Sequence, residues 1–414
     1  MNQLSVKRLP GGRYGLPLAV VIVGTAVFLL MARSQGGLGF PLDDAWIHQT
    51  YARNLVRNGR LEFVPGVVSA GSTSPLWTLL LAVGYLLRLP YLWWAYLLGT
   101  ASLAWLTWNG MRLWRQLWPN LAEKDWMAGL VLAVTWPFLW AAVSGMETLF
   151  FVALGLATLT MYVSIAQNRQ INGKGLSVVG WLAGLLILTR PDGLVLLVLV
   201  MVGVVVLPGS VGQRIKRAGV VAGTAVLVLI PYFSFNLFTS GTIWPNTFYA
   251  KQTEYAAQLA IPIVNRVVQL LYFSLGGPAD GLRGMSGPHL LLLPGLIAAG
   301  WQALKTDWSQ RKLIMQLPLL WAGGHLFLYA WRLPLTFQHG RYLLAAYPIW
   351  ILYGLAGWQT LLFSRSGLRS VWILQQVSRW TFVGLLLIFV ALGSRAYADD
   401  VAFIEGEMVT MAKW

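Results

Sequence analysis

Long apolar runs separated by short polar breaks dominate the pattern along this chain. The first extends from about Leu16 to Met31, behind the basic residues Lys7, Arg8 and Arg13. Further runs cover residues 75–88, 91–110, 127–142, 148–166, 176–189, 193–208, 217–236, 289–304, 313–331, 341–358 and 378–394. A helix needs about 20 apolar residues to cross a bilayer, so the pattern predicts an all-α polytopic membrane protein. The first run has the outline of a signal peptide, but no convincing small-residue cleavage site follows it. An uncleaved anchor with a cytoplasmic N-terminus is expected instead. Run 75–88 would extend only about 21 Å, against a hydrocarbon core of about 30 Å. It is expected to be tilted, re-entrant or interfacial.

Composition agrees with the pattern. Of 414 residues, 57% are hydrophobic and 11% charged, and mean hydropathy is +0.63. A soluble protein carries about 45–50% apolar and 25% charged residues, so a soluble enzyme and any disordered or fibrous class are excluded. Lys and Arg number 30 against 14 Asp and Glu, a net charge of +16. Breaks rich in Arg and Lys include Arg112–Lys124, Arg169–Lys174, Arg214–Arg217, Lys305–Lys312 and Arg365–Arg369, which the positive-inside rule assigns to the cytoplasm. Residues 36–74, Ser144–Glu147, Arg190–Asp192, 237–288, Gln338–Arg341 and the C-terminal tail are then external. No basic stripe is present, so nucleic acid is not an expected partner. The chain has no cysteine, which excludes disulfides, thiolate metal sites and cysteine nucleophiles.

Ionisable groups are costly in a membrane protein, so their positions are informative. Asp43 and Asp44 follow the first run, ahead of a short helical pattern, Trp46 to Val56, that carries His48, Tyr51 and Arg53. Asp at this point is either a helix cap or a carboxylate acting as general base or metal ligand. Glu147 is a lone acid at an outer helix end, satisfied by the helix dipole or facing the first-loop carboxylates across a cavity. Arg190 and Asp192 break two apolar runs, either pairing with each other or touching ligand. Lys251, near Asn246 and Tyr249, can snorkel or hold a phosphate. His339 and Arg341 open a late helix, where an anion is favoured or where Arg and Tyr anchor the interface. His325, inside a run, reads as a packed core residue.

The stretch Leu42-Asp43-Asp44-Ala45-Trp46-Ile47-His48, with Tyr51-Ala52-Arg53-Asn54-Leu55, Phe63-Val64-Pro65-Gly66 and Ser74-Pro75-Leu76-Trp77, resembles the first-loop signature of a membrane glycosyltransferase family of the GT-C class. Its best-known members are the mycobacterial terminal β-arabinofuranosyltransferases. The resemblance continues in order through Gly145-Met146-Glu147-Thr148, Thr189-Arg190-Pro191-Asp192-Gly193, Pro245-Asn246-Thr247-Phe248-Tyr249-Ala250-Lys251 and His339-Gly340-Arg341-Tyr342. It implies a GT-C fold with about eleven to thirteen transmembrane helices and a surface-lying first external loop. It also implies a multi-pass protein of the cell membrane, with its site on the extracytoplasmic face, that transfers a sugar from a polyprenyl-phosphate donor to a glycan or lipid-linked acceptor.

By this resemblance the catalytic residues are Asp43 or Asp44 as base, with Glu147 as second acid. Lys251, His339, Arg341 and Arg190 bind the donor phosphate, and His48, Tyr51, Arg53, Asn246, Tyr249 and Asp192 bind substrate. Adjacent acids are compatible with a divalent cation, Mg or Mn, though the sequence establishes no metal. Residues 1–395 form the expected membrane domain. Residues 396–414 form the expected external tail and resemble the entry to a soluble domain, so the chain is read as a fragment, a minimal enzyme or one half of a split protein whose partner supplies that domain. Rival readings are a transporter or flippase of a lipid-linked sugar and a non-catalytic relative in envelope or motility assembly.

Overall fold

The computed structural model of the protein describes residues 12–167, 171–275, 289–305, 310–363 and 369–410. The basic residues Lys7 and Arg8, and parts of the basic breaks 169–174, 305–312 and 365–369, lie outside the described residues. So do residues 276–288 of the expected 237–288 loop and residues 411–414.

Every apolar run becomes a helix, and no strand forms among the described residues. The order is α1 (Gly12–Gln35), α2 (Asp44–Asn58), α3 (Pro75–Leu86), α4 (Tyr91–Leu117), α5 (Asp125–Val134), α6 (Trp136–Ala142), α7 (Thr148–Gln167), α8 (Gly173–Thr189) and α9 (Leu194–Val206). Then follow α10 (Val211–Ser240), α11 (Asn246–Glu254), α12 (Ala256–Leu259), α13 (Ile263–Ser274), α14 (His289–Lys305), α15 (Gln310–Arg332), the single turn α16 (Phe337–Gly340), α17 (Tyr347–Phe363) and α18 (Arg369–Phe403).

Among the described residues, five helices are long and apolar enough to cross a membrane: Tyr14–Gln35, Thr148–Gln167, Val211–Ser240, Leu313–Arg332 and Trp380–Val409. The pair Pro119–Val134 and Trp136–Ala142, bent by 60°, makes a sixth where it is counted as one broken span. The sequence reads that pair as one continuous run. The break lies at Thr135, whose backbone is extended, just ahead of Pro137. The Pro137 ring would meet the carbonyl four residues back and has no N–H to donate, so the helix restarts in a new direction. Helix α3 has 12 residues, about 18 Å, and packs along α2; it is too short to cross unaided, as its run length suggests.

Helix α7 is the hub. It packs against α4 and α8, with α15 and α9 beyond, and 83% of its apolar window is buried. Lipid tails are as apolar as leucine, so helices associate here through close packing rather than through the hydrophobic effect. The α14–α17 pair shows how. Gly357 lies so close to the Gly295 carbonyl that a Cβ would approach it to 1.8 Å. Helix α18 continues past the boundary expected at residue 395. Tyr397 donates hydrogen bonds to the carbonyls of Val143 (3.0 Å) and Gly39 (3.3 Å), so residues beyond 395 pack on the bundle.

The first loop folds over this bundle and is clamped to it. Glu62 is buried and accepts hydrogen bonds from Asn58 Nδ2 and the Gly66 amide, closing the turn after α2. Tyr232 of α10 donates to the Ser72 carbonyl, Thr247 Oγ1 of α11 to the Gly71 carbonyl at 2.8 Å, and the Asn246 amide to the Ala70 carbonyl at 3.0 Å. These bonds set α11 beside α2, across the mouth of a cavity.

Candidate active site

The cavity is about 710 Å³. One part is polar and draws on five chain segments far apart in sequence. Helix α2 contributes Asp44 and His48, four residues apart and therefore on one helix face. The α6–α7 turn contributes Glu147, the α8–α9 break Arg190 and Asp192, and α11 Lys251. Arg341 and Tyr342 complete it from the segment ahead of α17. The other part is apolar, bounded by Leu194, Val195, Val198 and Leu199 of α9 and by Leu320 and Leu328 of α15. Val198 and Leu320 are about half exposed on the outer surface of the bundle, so this arm opens sideways, toward where lipid would be.

Glu147 owes its position to a rigid turn. Gly145 has φ +75°, and a Cβ there would stand 2.5 Å from the Phe40 ring, so only glycine fits. Trp77 of α3 donates to the Gly145 carbonyl at 2.9 Å, and the Met146 amide to Ser144 Oγ at 3.2 Å. Glu147 accepts from Arg190 Nη1 at 2.8 Å, and its second oxygen lies 3.3 Å from His48 Nε2. Burial alone would raise this carboxyl, but the His48 hydrogen bond and the Arg190 charge prevail and hold it well below the usual range. Arg190 extends the network. Its Nε reaches both Asp192 oxygens (3.2 and 3.3 Å) and its Nη2 donates to Tyr329 OH (2.6 Å), which in turn donates to Asp192 Oδ2 (2.7 Å). Arg190 thus pairs with Asp192, the first of its two readings, and it also lies on the cavity wall.

Asp44 stands in a different setting. Arg341 Nη2 donates to its Oδ2, and Lys251 Nζ lies 3.8 Å from the same oxygen. Burial would raise the Asp44 carboxyl, but Arg341 and Lys251 outweigh it and lower it below its ordinary value. Arg341 is itself presented by a strained turn. Gln338, His339 and Gly340 all have positive φ, at 54°, 56° and 70°. Non-glycine residues in that region cost about 1–3 kcal/mol each and tend to gather at functional sites.

The structure separates the other sequence candidates. Asp43 is exposed and accepts from the Asp44 amide at 2.9 Å, the cap role, whereas Asp44 takes the cavity position. His339 does not line the cavity. It lies between the Trp136 and Trp140 rings, with Nε2 2.8 Å from Asp400 of α18, because the left-handed turn sends neighbouring side chains in different directions. Tyr51 is two turns beyond Asp44, and its hydroxyl bonds Ser69 Oγ at 2.9 Å; it supports the first loop from beneath. Arg53 falls on the opposite face of α2 and does not line the cavity. On α11, Thr247, Phe248 and Lys251 face inward, so helical rotation turns Asn246 and Tyr249 outward, and both are exposed.

Sequence reasoning missed Tyr329, Tyr342 and Arg332, all on the cavity wall. Only the Gln338-His339-Gly340-Arg341-Tyr342 stretch carried a signal for any of them. His325 is buried as expected, with Nε2 2.9 Å from the Tyr342 carbonyl. A divalent cation does not fit this donor set. Asp43 points away, Asp44 is held by two cationic side chains, and among the described residues no three His, Cys, Asp or Glu side chains gather.

No protein-family model and no curated protein matches the sequence. Solved structures do. Over 96% of this chain and 78% of its own, ArnT from Cupriavidus metallidurans bound to undecaprenyl phosphate superposes with a TM-score of 0.59 at 16% identity. The Archaeoglobus fulgidus oligosaccharyltransferase in complex with Zn and sulfate matches 91% of this chain with a TM-score of 0.59 at 13% identity. The same archaeal enzyme, AglB, in complex with an inhibitory peptide and a dolichol-phosphate, gives 0.57 at 11% identity.

The fold is GT-C. Within it, the chain spans about half the length of the archaeal oligosaccharyltransferase, 53%. At these identities the likeness establishes the GT-C fold and leaves the chemistry to the site.

Proposed function

We propose that this chain is a glycosyltransferase that moves one sugar from a polyprenyl-phosphate donor to a glycan or lipid-linked acceptor at the extracytoplasmic face of the cell membrane. The shape of the cavity carries this reading. A cationic end formed by Arg341 and Lys251 continues into an apolar arm between α9 and α15, which suits one molecule with an anionic head and an isoprenoid tail. A transporter would be expected to carry ionisable groups at mid-span on paired broken helices, whereas Glu147, Arg190, Asp192 and Arg341 lie at helix ends. Two GT-C proteins with the same fold are bound to undecaprenyl phosphate and to a dolichol-phosphate, which supports the reading by analogy. The first-loop resemblance points to arabinofuranose as the sugar.

In this scheme the donor phosphate sits on Arg341, which offers a planar fork, and on Lys251, a point charge. Asp44 takes the proton from the acceptor hydroxyl. The acceptor oxygen then bonds the anomeric carbon as its bond to the phosphate oxygen breaks. Polyprenyl phosphate leaves with the electron pair, and Arg341 and Lys251 receive the growing charge. Glu147, fixed by Arg190, keeps His48 oriented on the cavity wall next to Asp44.

The test is transfer of radiolabelled sugar by the purified chain from a panel of synthetic polyprenyl phosphosugars, led by polyprenyl-phosphoryl arabinose, with acceptor glycans added. Product from any donor that disappears in Asp44→Asn supports the reading, and arabinose leading the panel supports the finer one. Folded protein that yields no product with any donor and acceptor contradicts it.

A further inference from the structure

Arg341 and Lys251 are both engaged by a carboxylate where a phosphate would have to meet them. Both are directed at one oxygen, Asp44 Oδ2. Arg341 is 4% exposed, and its Nε and Nη1 are buried without a hydrogen-bond partner. The guanidinium therefore keeps unspent donors while its Nη2 is shared between Asp44 and Tyr342 OH. Arg341 is fixed by the left-handed turn before it. Asp44 and Lys251 are both partly exposed, with 24% and 35% of their side chains accessible, so these two side chains are the ones free to move.

We propose that Asp44 and the donor phosphate compete for Arg341 and Lys251, so that donor binding releases the Asp44 carboxylate to act as base. This rests on the glycosyltransferase reading above and adds an order of events to it. While two cations hold it, Asp44 is a weak proton acceptor, because a nearby positive charge favours the ionised form. A phosphodiester monoanion presents two oxygens to the Arg341 fork and takes Lys251 with it. The carboxylate is then left beside an anion instead of two cations, and its affinity for the acceptor proton rises. The other titratable groups around it are His48 on α2, Tyr255 after α11 and Tyr342 beside Arg341; none replaces the lost positive charge at that oxygen. The base strengthens only when a donor is in place, so donor binds before acceptor is activated.

The experiment measures binding of undecaprenyl phosphate to the full chain in lipid nanodiscs. Asp44→Asn should bind at least tenfold more tightly than wild type, and Arg341→Gln at least tenfold more weakly. Simple charge repulsion by Asp44 would also favour the Asn variant, so the decisive comparison is the double variant. The tenfold gain should vanish in the Arg341→Gln background, because no fork remains to compete for. Asp44→Ser, expected to show the same gain, replaces Asp44→Asn if that variant fails to fold. Asn and Ser variants that bind like wild type or more weakly overturn the exchange, as does a gain that persists undiminished without Arg341. Wild-type protein that binds no undecaprenyl phosphate overturns the polyprenyl-phosphate reading itself, a failure distinct from loss of the exchange alone.

Discussion

Glu147 and Asp44 look into the same cavity from neighbouring elements, yet their surroundings differ in closure. The Glu147 side chain is 5% exposed and paired on both oxygens, by Arg190 and His48. Arg190 in turn holds Asp192 and Tyr329, which hold each other. The Asp44 side chain is 24% exposed, and both of its cationic partners meet a single oxygen. A closed buried network is costly to open, because each ion removed strands another. The Asp44 pair is open on the carboxylate side only, so the buried Arg341 can release Asp44 where another anion takes its place. The two acids therefore suit different tasks in the proposed transfer: Glu147 would hold geometry, and Asp44 would change partners during turnover.

Removing the centre of the closed network should have the largest effect. Arg190→Ala leaves Glu147 and Asp192 buried without their cation, and breaking a buried pair this way costs about 3–5 kcal/mol. Thermal unfolding in detergent should show a large drop in midpoint, together with loss of transfer. An unchanged midpoint would mean that the network is not the closed unit described. Asp44→Asn comes next. It should lower the rate of transfer about 100-fold, near 2.7 kcal/mol of barrier, while the unfolding midpoint stays close to wild type. A midpoint that falls as far as that of Arg190→Ala would erase the contrast.

Lys251→Met should have a smaller effect. Loss of a partly exposed point charge proposed to bind the donor phosphate is expected to raise the donor KM about tenfold with little change in kcat, as steady-state kinetics over donor concentration would show. Asp43→Asn should have the smallest. Asn caps a helix as well as Asp does, so transfer should stay within about twofold of wild type. A loss matching that of Asp44→Asn would exchange the roles assigned to the two acids.

Much of the fold was legible because a bilayer forces apolar residues into long runs, and those runs became helices with ends shifted by a few residues. The break at Thr135 was not legible as a run ending, since both halves are apolar; the Trp136-Pro137 pair was its only mark. In the site, Asp44, Glu147, Arg190, Asp192, Lys251 and Arg341 stood out because charges are scarce among apolar helices. Rotation about a helix axis was harder to read. Tyr249 and Arg53 share motifs with Lys251 and Asp44 but fall on other faces, and His339 is turned away by positive φ values that sequence does not announce. Tyr329 was hidden in the last turns of an apolar helix, where a tyrosine reads equally well as an interfacial anchor.

The most direct measurement of the account is a cryo-EM structure of the full chain in nanodiscs with undecaprenyl phosphate. The account predicts phosphate density within hydrogen-bond reach of Arg341 and Lys251, with the isoprenoid running along Val198 of α9 and Leu320 of α15. Phosphate density elsewhere on the protein, or an isoprenoid that avoids the groove between α9 and α15, would contradict it.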